Sequence, residues 1–401
     1  MKLLPIEDAR ARMLEGLAPL PAQTVPIEQA PRRVLAQAVI AARDQPPFDS
    51  SAMDGWAIRE ADAREAAADL TIVGESAAGR GFAPTLLPGQ AVRIFTGAAL
   101  PDGADMVVIQ EDAERIGDIV HLGPVAGEGR NIRERGGDFK QGERLLEPGQ
   151  RLDPWRLSLA AAAGAGELEV GGRPRVAVLC TGDELIRPPK VPGPFQIYES
   201  GSAALCALIE AWGGWPTRLE PARDDEAAIV DALSGGSWDL IVTVGGASVG
   251  DYDIVKPALA RLGLELKVAS VNVRPGKPTW FGVLGDGRKV LGLPGNPSSA
   301  LVCAELFLRP LVLALQGGDP QPRVLRARLA APMPANGGRD HLMRASLVSS
   351  DDGALVVQAF TEQDSGMVGV FARADALLRR PAKAPASPAG EAVDVIVLER
   401  L

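Results

Sequence analysis

The chain has 401 residues, 46% of them hydrophobic, and a mean hydropathy of +0.06. That length exceeds one ordinary core, so the composition predicts a globular protein of several domains. The net charge of −9 and the acidic pI argue against nucleic-acid-binding proteins, whose binding surfaces are basic. No apolar run is expected to be long enough to span a bilayer, so we predict no membrane contact.

The N-terminus and the cysteines favour a reducing cytoplasm. Acidic residues lie where a signal peptide would need an apolar core. Cys180, Cys206 and Cys303 are odd in number and share no metal-ligand spacing, which is typical of buried small hydrophobes.

The first half of the chain is predicted to be mainly β-structure between two helices. Residues 6–17 have the apolar spacing of an amphipathic helix, and residues 152–165 begin with Asp153 and Pro154, a helix-start signal. Short β-rich runs separated by Gly/Pro turns lie between them. The predicted strands are 71–73, 92–95, 106–109 and 119–122.

Residues 174–316 alternate between strand and helix patterns, which predicts βαβ units and a parallel sheet. The predicted strands are 176–180, 240–244, 267–273 and 290–293, and the predicted helices are 202–212, 224–233, 254–262 and 298–315. Residues 323–401 return to short strands, of which the last is 393–398.

Candidate functional residues lie in four loops, 181–184, 245–253, 274–278 and 294–299. Each lies at or beside the end of a predicted strand, where open parallel sheets bind ligands. Glycines at 245, 246 and 250 let the backbone approach a phosphate, while Ser248 offers a hydroxyl and Asp253 a metal ligand. Arg274, Lys277 and the helix start at Ser298 and Ser299 favour a small oxyanion.

A serine hydrolase is the main competing interpretation from single motifs. Residues 246–250 spell G-x-S-x-G between a strand and a helix, with Ser248 at the position of the nucleophile. The only downstream histidine, His341, lies far beyond the αβ region, and no oxyanion-loop motif accompanies it. A Walker A loop, a dinucleotide fingerprint and a zinc site are also missing from the sequence.

An ordered series of motifs resembles the molybdopterin molybdenumtransferases, relatives of the C-terminal domain of gephyrin. The motifs are PPFDSSAMDGWAI (46–58), FTGAALPDGADMVVIQED (95–112), GRNIRERGGDFKQGE (129–143), TGDEL (181–185), GGASVGDYD (245–253), RPGKP (274–278) and LPGNPSSA (293–300). The resemblance runs nearly the full length of the chain.

This resemblance implies an enzyme that takes adenylylated molybdopterin and molybdate, inserts the metal and releases AMP, with Mg²⁺ assisting pyrophosphate cleavage. It implies a homodimer and possible contact with molybdopterin adenylyltransferase and molybdoenzyme maturation proteins. A glycine loop beside carboxylates suits a metal-bound diphosphate, because the metal neutralises charge on phosphoryl oxygens.

The resemblance also assigns roles to individual positions. Asp253 and Glu184 would contact magnesium or the pterin, and Asp54, Thr96 and Asp138 would complete the catalytic set from the β-rich domain. Turn capping is the alternative for Asp54 and Thr96. The pterin and nucleotide phosphates would contact Thr181, Gly182, Asp183, Ser200, Gly245, Gly246, Ser248 and Gly250. Molybdate would contact Arg274, Lys277, Pro278, Ser299, Arg344 and, more weakly matched, Ser365.

Four positions depart from the family pattern. The usual DSN is Glu199-Ser200-Gly201, a usual lysine is Arg274, a usual GED has Gly137, and a usual AN has Asp375. Arginine and lysine are not equivalent, since a guanidinium is a fixed fork and an ammonium a point charge. A divergent relative with altered oxyanion choice, such as tungstate, or with weakened turnover is therefore possible.

The expected fold is multidomain, α/β plus β, with a central three-layer αβα domain around a mostly parallel sheet. The predicted domains are a helical connector (1–24 and 146–173), a β-rich domain (25–145), the αβα domain (174–321) and a C-terminal β-barrel-like domain (322–401). A non-catalytic molybdopterin-binding or scaffold protein of the same fold is the second functional hypothesis.

Overall fold

The computed structural model describes residues 3–64, 66–125, 129–246 and 254–399. These fall into two compact units. The larger contains the described residues of 1–37, 148–153 and 169–401, and the smaller contains those of 38–147 and 154–168. The four predicted domain boundaries stay a prediction.

The larger unit is built around a six-stranded sheet. Its strands and one neighbouring short strand are β1 Arg175–Cys180, β2 Trp215–Arg218, β3 Leu240–Val244, β4 Glu265–Val268, β5 Val273–Arg274, β6 Trp280–Val283 and β7 Lys289–Leu293. The sheet order is β2-β1-β3-β7-β6-β4, with the first four strands parallel and β6 antiparallel to both neighbours. Every residue of β3 is buried, as expected for a strand covered on both faces.

Helices cover both faces of this sheet. They are α1 Gly201–Ala211, α2 Glu226–Ser234, α3 Val255–Ala260, α4 Pro297–Cys303 and α5 Arg309–Leu315, with a π-helical segment, Ala304–Leu308, joining the last two. Val178 packs in one apolar cluster with Leu205 of α1, while its neighbour Ala177 packs in another with Ile229 of α2. Successive strand residues point to opposite faces, so this confirms the predicted three-layer αβα arrangement.

The helical segment 297–315 corrects one expectation from the sequence. By length and composition it is apolar enough to cross a membrane, with a mean hydropathy of 1.7. However, 83% of it is buried inside the protein, so core packing accounts for its apolarity. Its surroundings include the N-terminal helix Ile6–Leu14, which packs in the same apolar cluster.

The C-terminal part of the larger unit is a closed five-stranded barrel. Its strands are β8 Val324–Leu329, β9 Asp340–Ser349, β10 Leu355–Ala359, β11 Ala376–Arg380 and β12 Ala392–Val397. The pairings β8–β10, β10–β9, β9–β11, β11–β12 and β12–β8 complete the ring. Ala345, Leu378 and Val395 share its apolar core, and the expected barrel-like C-terminal domain is confirmed.

The run predicted as one strand over 267–273 is two strands. β4 ends at Val268 in the central sheet, and β5 begins at Val273 and pairs with β9 of the barrel. The predicted single strand was wrong because the run serves two different sheets.

The smaller unit is rich in β-structure, as predicted. Its six-stranded sheet has the order Met106–Ile109, Gly55–Ile58, Gln90–Ile94, Ala68–Ser76, Ile119–Leu122 and Ala113–Ile116. Its further elements are the strand pairs Val39–Ile40 with Arg144–Leu146 and Ser50–Ser51 with Ile132–Arg133, and the helices Glu60–Ala63 and Pro154–Ala162.

Candidate active site

The carboxyl ends of the parallel strands open onto a cavity of about 510 Å³ in the larger unit. Loops that follow β1, β3 and β7 all contribute to its lining, as the sequence predicts. The predicted substrate residues among its lining are Thr181, Gly182, Ser200, Gly245 and Gly246, joined by Glu184 and Pro278. Convergence of these separate loops is the geometric basis for a ligand site.

The backbone after β3 needs glycine at both described positions. Gly245 and Gly246 have φ of +97° and +58°, conformations that side chains disfavour. A Cβ on Gly245 would lie 2.6 Å from the carbonyl oxygen of Thr181, and one on Gly246 would overlap Val255. The Thr181 hydroxyl is buried without a hydrogen-bond partner among the described residues, so it is available to a ligand.

Gly246→Ala is therefore expected to destabilise the protein by about 1–3 kcal/mol, from backbone strain alone, and to weaken the AMP binding that the family resemblance implies. Urea unfolding and calorimetric titration with AMP measure the two effects. Gly235→Ala is the matched control, because Gly235 has φ of −89° and open space around its Cα. Equal effects of the two substitutions would contradict this account of the loop.

Carboxylates form one wall of the cavity. Glu184 and Asp224 both line it, and Asp183 lies beside them in an adjoining pocket. Partial burial raises the pKa of Asp224, and repulsion from Asp183 and Glu184 raises it further. Crowded carboxylates of this kind favour a bound cation or a shared proton.

The sequence analysis did not identify Asp224 as a site residue because it did not predict the strand β2 that precedes it. It follows β2, whose sequence Trp-Pro-Thr-Arg contains a proline and lacks the apolar run of β1 and β3. Proline is tolerated there because β2 is an edge strand. The sequence did contain one sign of a loop before a helix, the acidic pair 224–225 just before a helical pattern. In the structure Asp225 caps α2 by accepting a hydrogen bond from the Ala228 amide at 2.9 Å.

Glu199 is a second residue whose role the sequence did not indicate. It lines the cavity but is only 5% exposed, and its carboxylate is fully engaged by protein groups. Oε2 accepts from Arg218 Nη2 at 2.8 Å, Arg187 Nε at 3.3 Å and Ser202 Oγ at 2.5 Å, while Oε1 accepts from the Ser202 amide at 2.6 Å. The network ties the cavity wall to the start of α1.

Two of the predicted oxyanion residues, Ser365 and Arg344, take part in hydrogen bonds along the segment 364–365. Asn296, which lines the cavity, donates from Nδ2 to Ser365 Oγ at 2.9 Å. The Ser298 amide donates to the Ser365 carbonyl at 3.1 Å, and Ser299 is buried beside it in α4. The next carbonyl upstream, that of Asp364, accepts from Arg344 Nη2 at 2.9 Å. Arg344, Ser299 and Ser365 are thus brought into one neighbourhood.

Arg344 is fully buried and incompletely paired. Its Nε and Nη1 have no hydrogen-bond partner among the described residues. Burial lowers the pKa of Arg344, although a guanidinium keeps its charge at any physiological pH. A buried cation with two vacant donors is a strong candidate ligand for an oxyanion.

Residues of the loop 274–278 line two different cavities. Gly276 allows the loop to pack on α4, because a Cβ there would overlap Cys303. Pro278 lines the sheet-edge cavity and Lys277, one residue earlier, is exposed. Arg274 instead lines a different cavity in the barrel, so the structure does not group it with the other oxyanion residues.

The predicted catalytic residues of the smaller unit include one hydrogen-bonded pair. Asp54 Oδ1 accepts from both the amide and the hydroxyl of Thr96, each at 2.7 Å. The hydrogen bond from the backbone amide of Thr96 is the main reason that the pKa of Asp54 is lowered. This contact is what either turn capping or a catalytic pair would show. Asp138 is exposed in another part of the same unit.

Three of the predicted site residues, Ser248, Gly250 and Asp253, lie outside the described residues. The serine-hydrolase interpretation also depends on His341, whose surroundings are cationic. Burial, then Arg274, Arg344 and Arg339, lower the pKa of His341 to about 4. A catalytic triad instead needs a carboxylate to stabilise the imidazolium.

Comparison with known proteins agrees with this architecture along the whole chain. A family model described as MoeA N-terminal region (domain I and II) matches residues 4–164, a probable molybdopterin binding domain matches 177–314, and MoeA C-terminal region (domain IV) matches 326–398. A molybdopterin biosynthesis moeA protein from Pyrococcus horikoshii OT3 is similar with a TM-score of 0.81 and 27% identity, covering 99% of this chain and all of that one.

The αβα unit with its sheet-edge cavity and attached barrel thus defines a multidomain protein of the MoeA class. Relatives named molybdopterin molybdenumtransferase include one from Haemophilus influenzae, 33% identical over 98% of both chains. Molybdopterin molybdenumtransferase 2 from Mycobacterium tuberculosis is 38% identical over 84% of this chain and 85% of its own. The chain belongs to the molybdopterin molybdenumtransferase family.

Proposed function

We propose that this protein inserts molybdate into adenylylated molybdopterin and releases AMP. The observation that carries the proposal is a cavity whose acidic wall contains Glu184 and Asp224 and whose lining residue Asn296 donates to Ser365. The carbonyl of the preceding residue, Asp364, accepts from Arg344, whose Nε and Nη1 have no partner among the described residues. The first wall suits a cation-bound diphosphate, and the second region suits a tetrahedral dianion.

In this proposal the chain acts mainly by positioning and by electrostatics. Gly245 and Gly246 let the backbone approach the phosphates, and Thr181 donates its free hydroxyl. Arg344, Lys277 and Ser299 hold the oxyanion, and Pro278 lines the cavity. Holding both substrates in one cavity lowers the entropic cost of their reaction.

The acidic wall fits magnesium. Within the described residues no three acidic, histidine or cysteine side chains converge to hold a metal by themselves. Magnesium is often held by only one or two carboxylates and completed by substrate phosphates, so Glu184, Asp224 and the predicted ligand Asp253 suffice. When bound, the ion would neutralise charge on the diphosphate as the bond to AMP breaks.

We further propose a cytoplasmic homodimer in which Asp54, Thr96 and Asp138 serve the reaction. The hydrogen-bonded pair of Asp54 and Thr96 supports a fixed carboxylate at that position. Contacts with molybdopterin adenylyltransferase or maturation proteins remain proposals of the same kind.

AMP release tests the enzymatic function directly. The full chain is incubated with adenylylated molybdopterin, and AMP is quantified with and without molybdate and Mg²⁺. We expect release to require both, and chelation of Mg²⁺ by EDTA to suppress it. A folded protein that binds the substrate but releases no AMP would support the scaffold hypothesis instead.

A further inference from the structure

The mouth of the C-terminal barrel contains a second cavity, of about 400 Å³. Leu329, Met343 and Val357 line it, and these residues also belong to the apolar core of the barrel or pack against it. Barrel mouths are common ligand sites. This cavity therefore has an apolar floor that continues the barrel interior.

Strand register places a row of basic side chains at its rim. Arg274 of β5 lies opposite His341 of β9, and His341 lies opposite Arg380 of β11. Side chains at paired positions on adjacent strands point to the same face of a sheet. All three residues line the cavity, which confirms that they share this face.

Nothing in the lining balances these charges. No aspartate or glutamate occurs among the described lining residues. Arg380 is only 4% exposed and donates to neutral oxygens alone, those of Ser387, Pro334 and Pro385. Its Nε has no hydrogen-bond partner among the described residues. Arg380 is a buried cation without a counter-ion among the described lining residues, which is costly, so an anion between it and the exposed Arg274 would stabilise the row.

The behaviour of His341 agrees with a positive potential at this rim. Burial and the charges of Arg274, Arg344 and Arg339 lower its pKa to about 4, so the imidazole is neutral at pH 7. A neutral imidazole still offers one N–H donor to an anion. Asp340, next in the chain, is already paired with Arg379 at 2.6 Å.

This cavity is distinct from the oxyanion region around Arg344. His341, Met343 and Ala345 alternate along β9 with Leu342 and Arg344, and alternate residues of a strand face opposite sides. Leu342 packs in the cluster that contains the central sheet, whereas Ala345 packs inside the barrel. Arg344 therefore faces the αβα layer, and His341 faces the barrel mouth.

We propose that the barrel mouth binds an organic anion, with its charged head between Arg274 and Arg380 and its apolar body against Met343 and Phe360. Pockets of roughly 300–1,000 Å³ with apolar linings and few polar groups are typical for small organic ligands. The 400 Å³ cavity falls in this range, and an apolar floor offers no hydrogen bonds to a bare inorganic ion. The cavity shares no lining residue with the sheet-edge cavity, although the resemblance assigned Arg274 to molybdate.

The test compares 2-naphthoate with its neutral analogue naphthalene-2-carboxamide by calorimetric titration of the full chain. We expect 2-naphthoate to bind at least tenfold more tightly than the amide, and Arg274→Ala to weaken naphthoate binding at least tenfold. Arg326→Ala is the matched control, because Arg326 lies on the outward face of β8, exposed and paired with Asp394. It should leave the affinity unchanged.

The proposal would be overturned if the acid and the amide bound with equal affinity, or if Arg274→Ala and Arg326→Ala lost equal affinity for naphthoate. It would also be overturned if naphthoate did not bind at millimolar concentration. So would binding of inorganic sulfate as tight as that of naphthoate, since the apolar body would then contribute nothing. His341→Gln keeps an N–H donor and serves as a second variant. It should retain binding, and its retention together with loss in Arg274→Ala assigns the effect to the guanidinium.

Discussion

Arg344→Met is expected to lower molybdate affinity about 100-fold or more and to reduce AMP release in proportion. The reason is that Arg344 is fully buried and holds two donors, Nε and Nη1, without a partner among the described residues. A hydrogen bond to a charged group contributes about 1.5–3 kcal/mol, so two such bonds account for at least about 3 kcal/mol, or two orders of magnitude. Calorimetric titration with molybdate measures the loss.

Stability distinguishes this role from a structural one. A buried arginine whose bonds were all needed for folding would destabilise the protein when removed. Here two nitrogens have no partner among the described residues, and burying an incompletely paired charge is costly. An apolar side chain of similar length removes that cost, which offsets the lost bond to the Asp364 carbonyl. We therefore expect the unfolding temperature of Arg344→Met to equal or exceed that of the unchanged protein.

Two further variants sharpen the test. Arg328→Met is the matched control, because Arg328 lies on the barrel with its side chain exposed and paired with Asp352. Arg344→Lys keeps the charge but loses the forked donor geometry, so we expect an intermediate affinity. If Arg344→Met bound molybdate as tightly as the unchanged protein, the oxyanion assignment would fail.

The sequence predicted the cavity loops where strand composition was clear. β1, β3 and β7 are apolar runs followed by glycine-containing loops, and each lies in the sheet as expected. β2 was missed because a short polar edge strand carries little periodicity, and Asp224 was missed with it. β6 was also missed, although its sequence Trp-Phe-Gly-Val is apolar and three of its four residues are buried, so a weak hydrophobic signal accounts for β2 but not for β6.

Contacts between distant strands were beyond the sequence signal. The row formed by Arg274, His341 and Arg380 depends on the register of β5, β9 and β11, which no local pattern specifies. For the same reason Arg274 was grouped with Lys277 from their shared loop, although the structure places it at the barrel mouth. The roles predicted for Arg274 and the other site residues stay predictions.

The largest expected effect on stability is that of Glu199→Gln, about 3 kcal/mol at neutral pH. Removing one partner of a buried ion pair typically costs about 3–5 kcal/mol, since the remaining charge is left uncompensated. We expect the lower end because Arg187 keeps Glu220 and the Leu219 carbonyl as partners. Arg218, in contrast, loses its 2.8 Å bond to the carboxylate.

The pH dependence identifies the carboxylate as the cause. Burial by itself would raise the pKa of Glu199, but hydrogen bonds from Ser202 and then Arg218 outweigh it and lower the pKa from 4.5 to about 2. Because the folded-state value is the lower one, the stabilisation is complete above about pH 4.5 and is lost as the pH falls toward 2. At about 1.4 kcal/mol per unit, this difference again corresponds to about 3 kcal/mol.

Hydrogen exchange of the α1 amides follows this effect locally, since Glu199 binds the Ser202 amide at the start of that helix. We expect protection in Glu199→Gln to be lower than in the unchanged protein at pH 7 and the two to converge as the pH falls toward 2. Glu220→Gln is the control: Glu220 contacts the same Arg187 but is 86% exposed, so its removal should change stability by under about 1 kcal/mol. A difference between Glu199→Gln and the unchanged protein that stayed constant from pH 7 to pH 2 would show that the side-chain charge is not what stabilises this wall of the cavity.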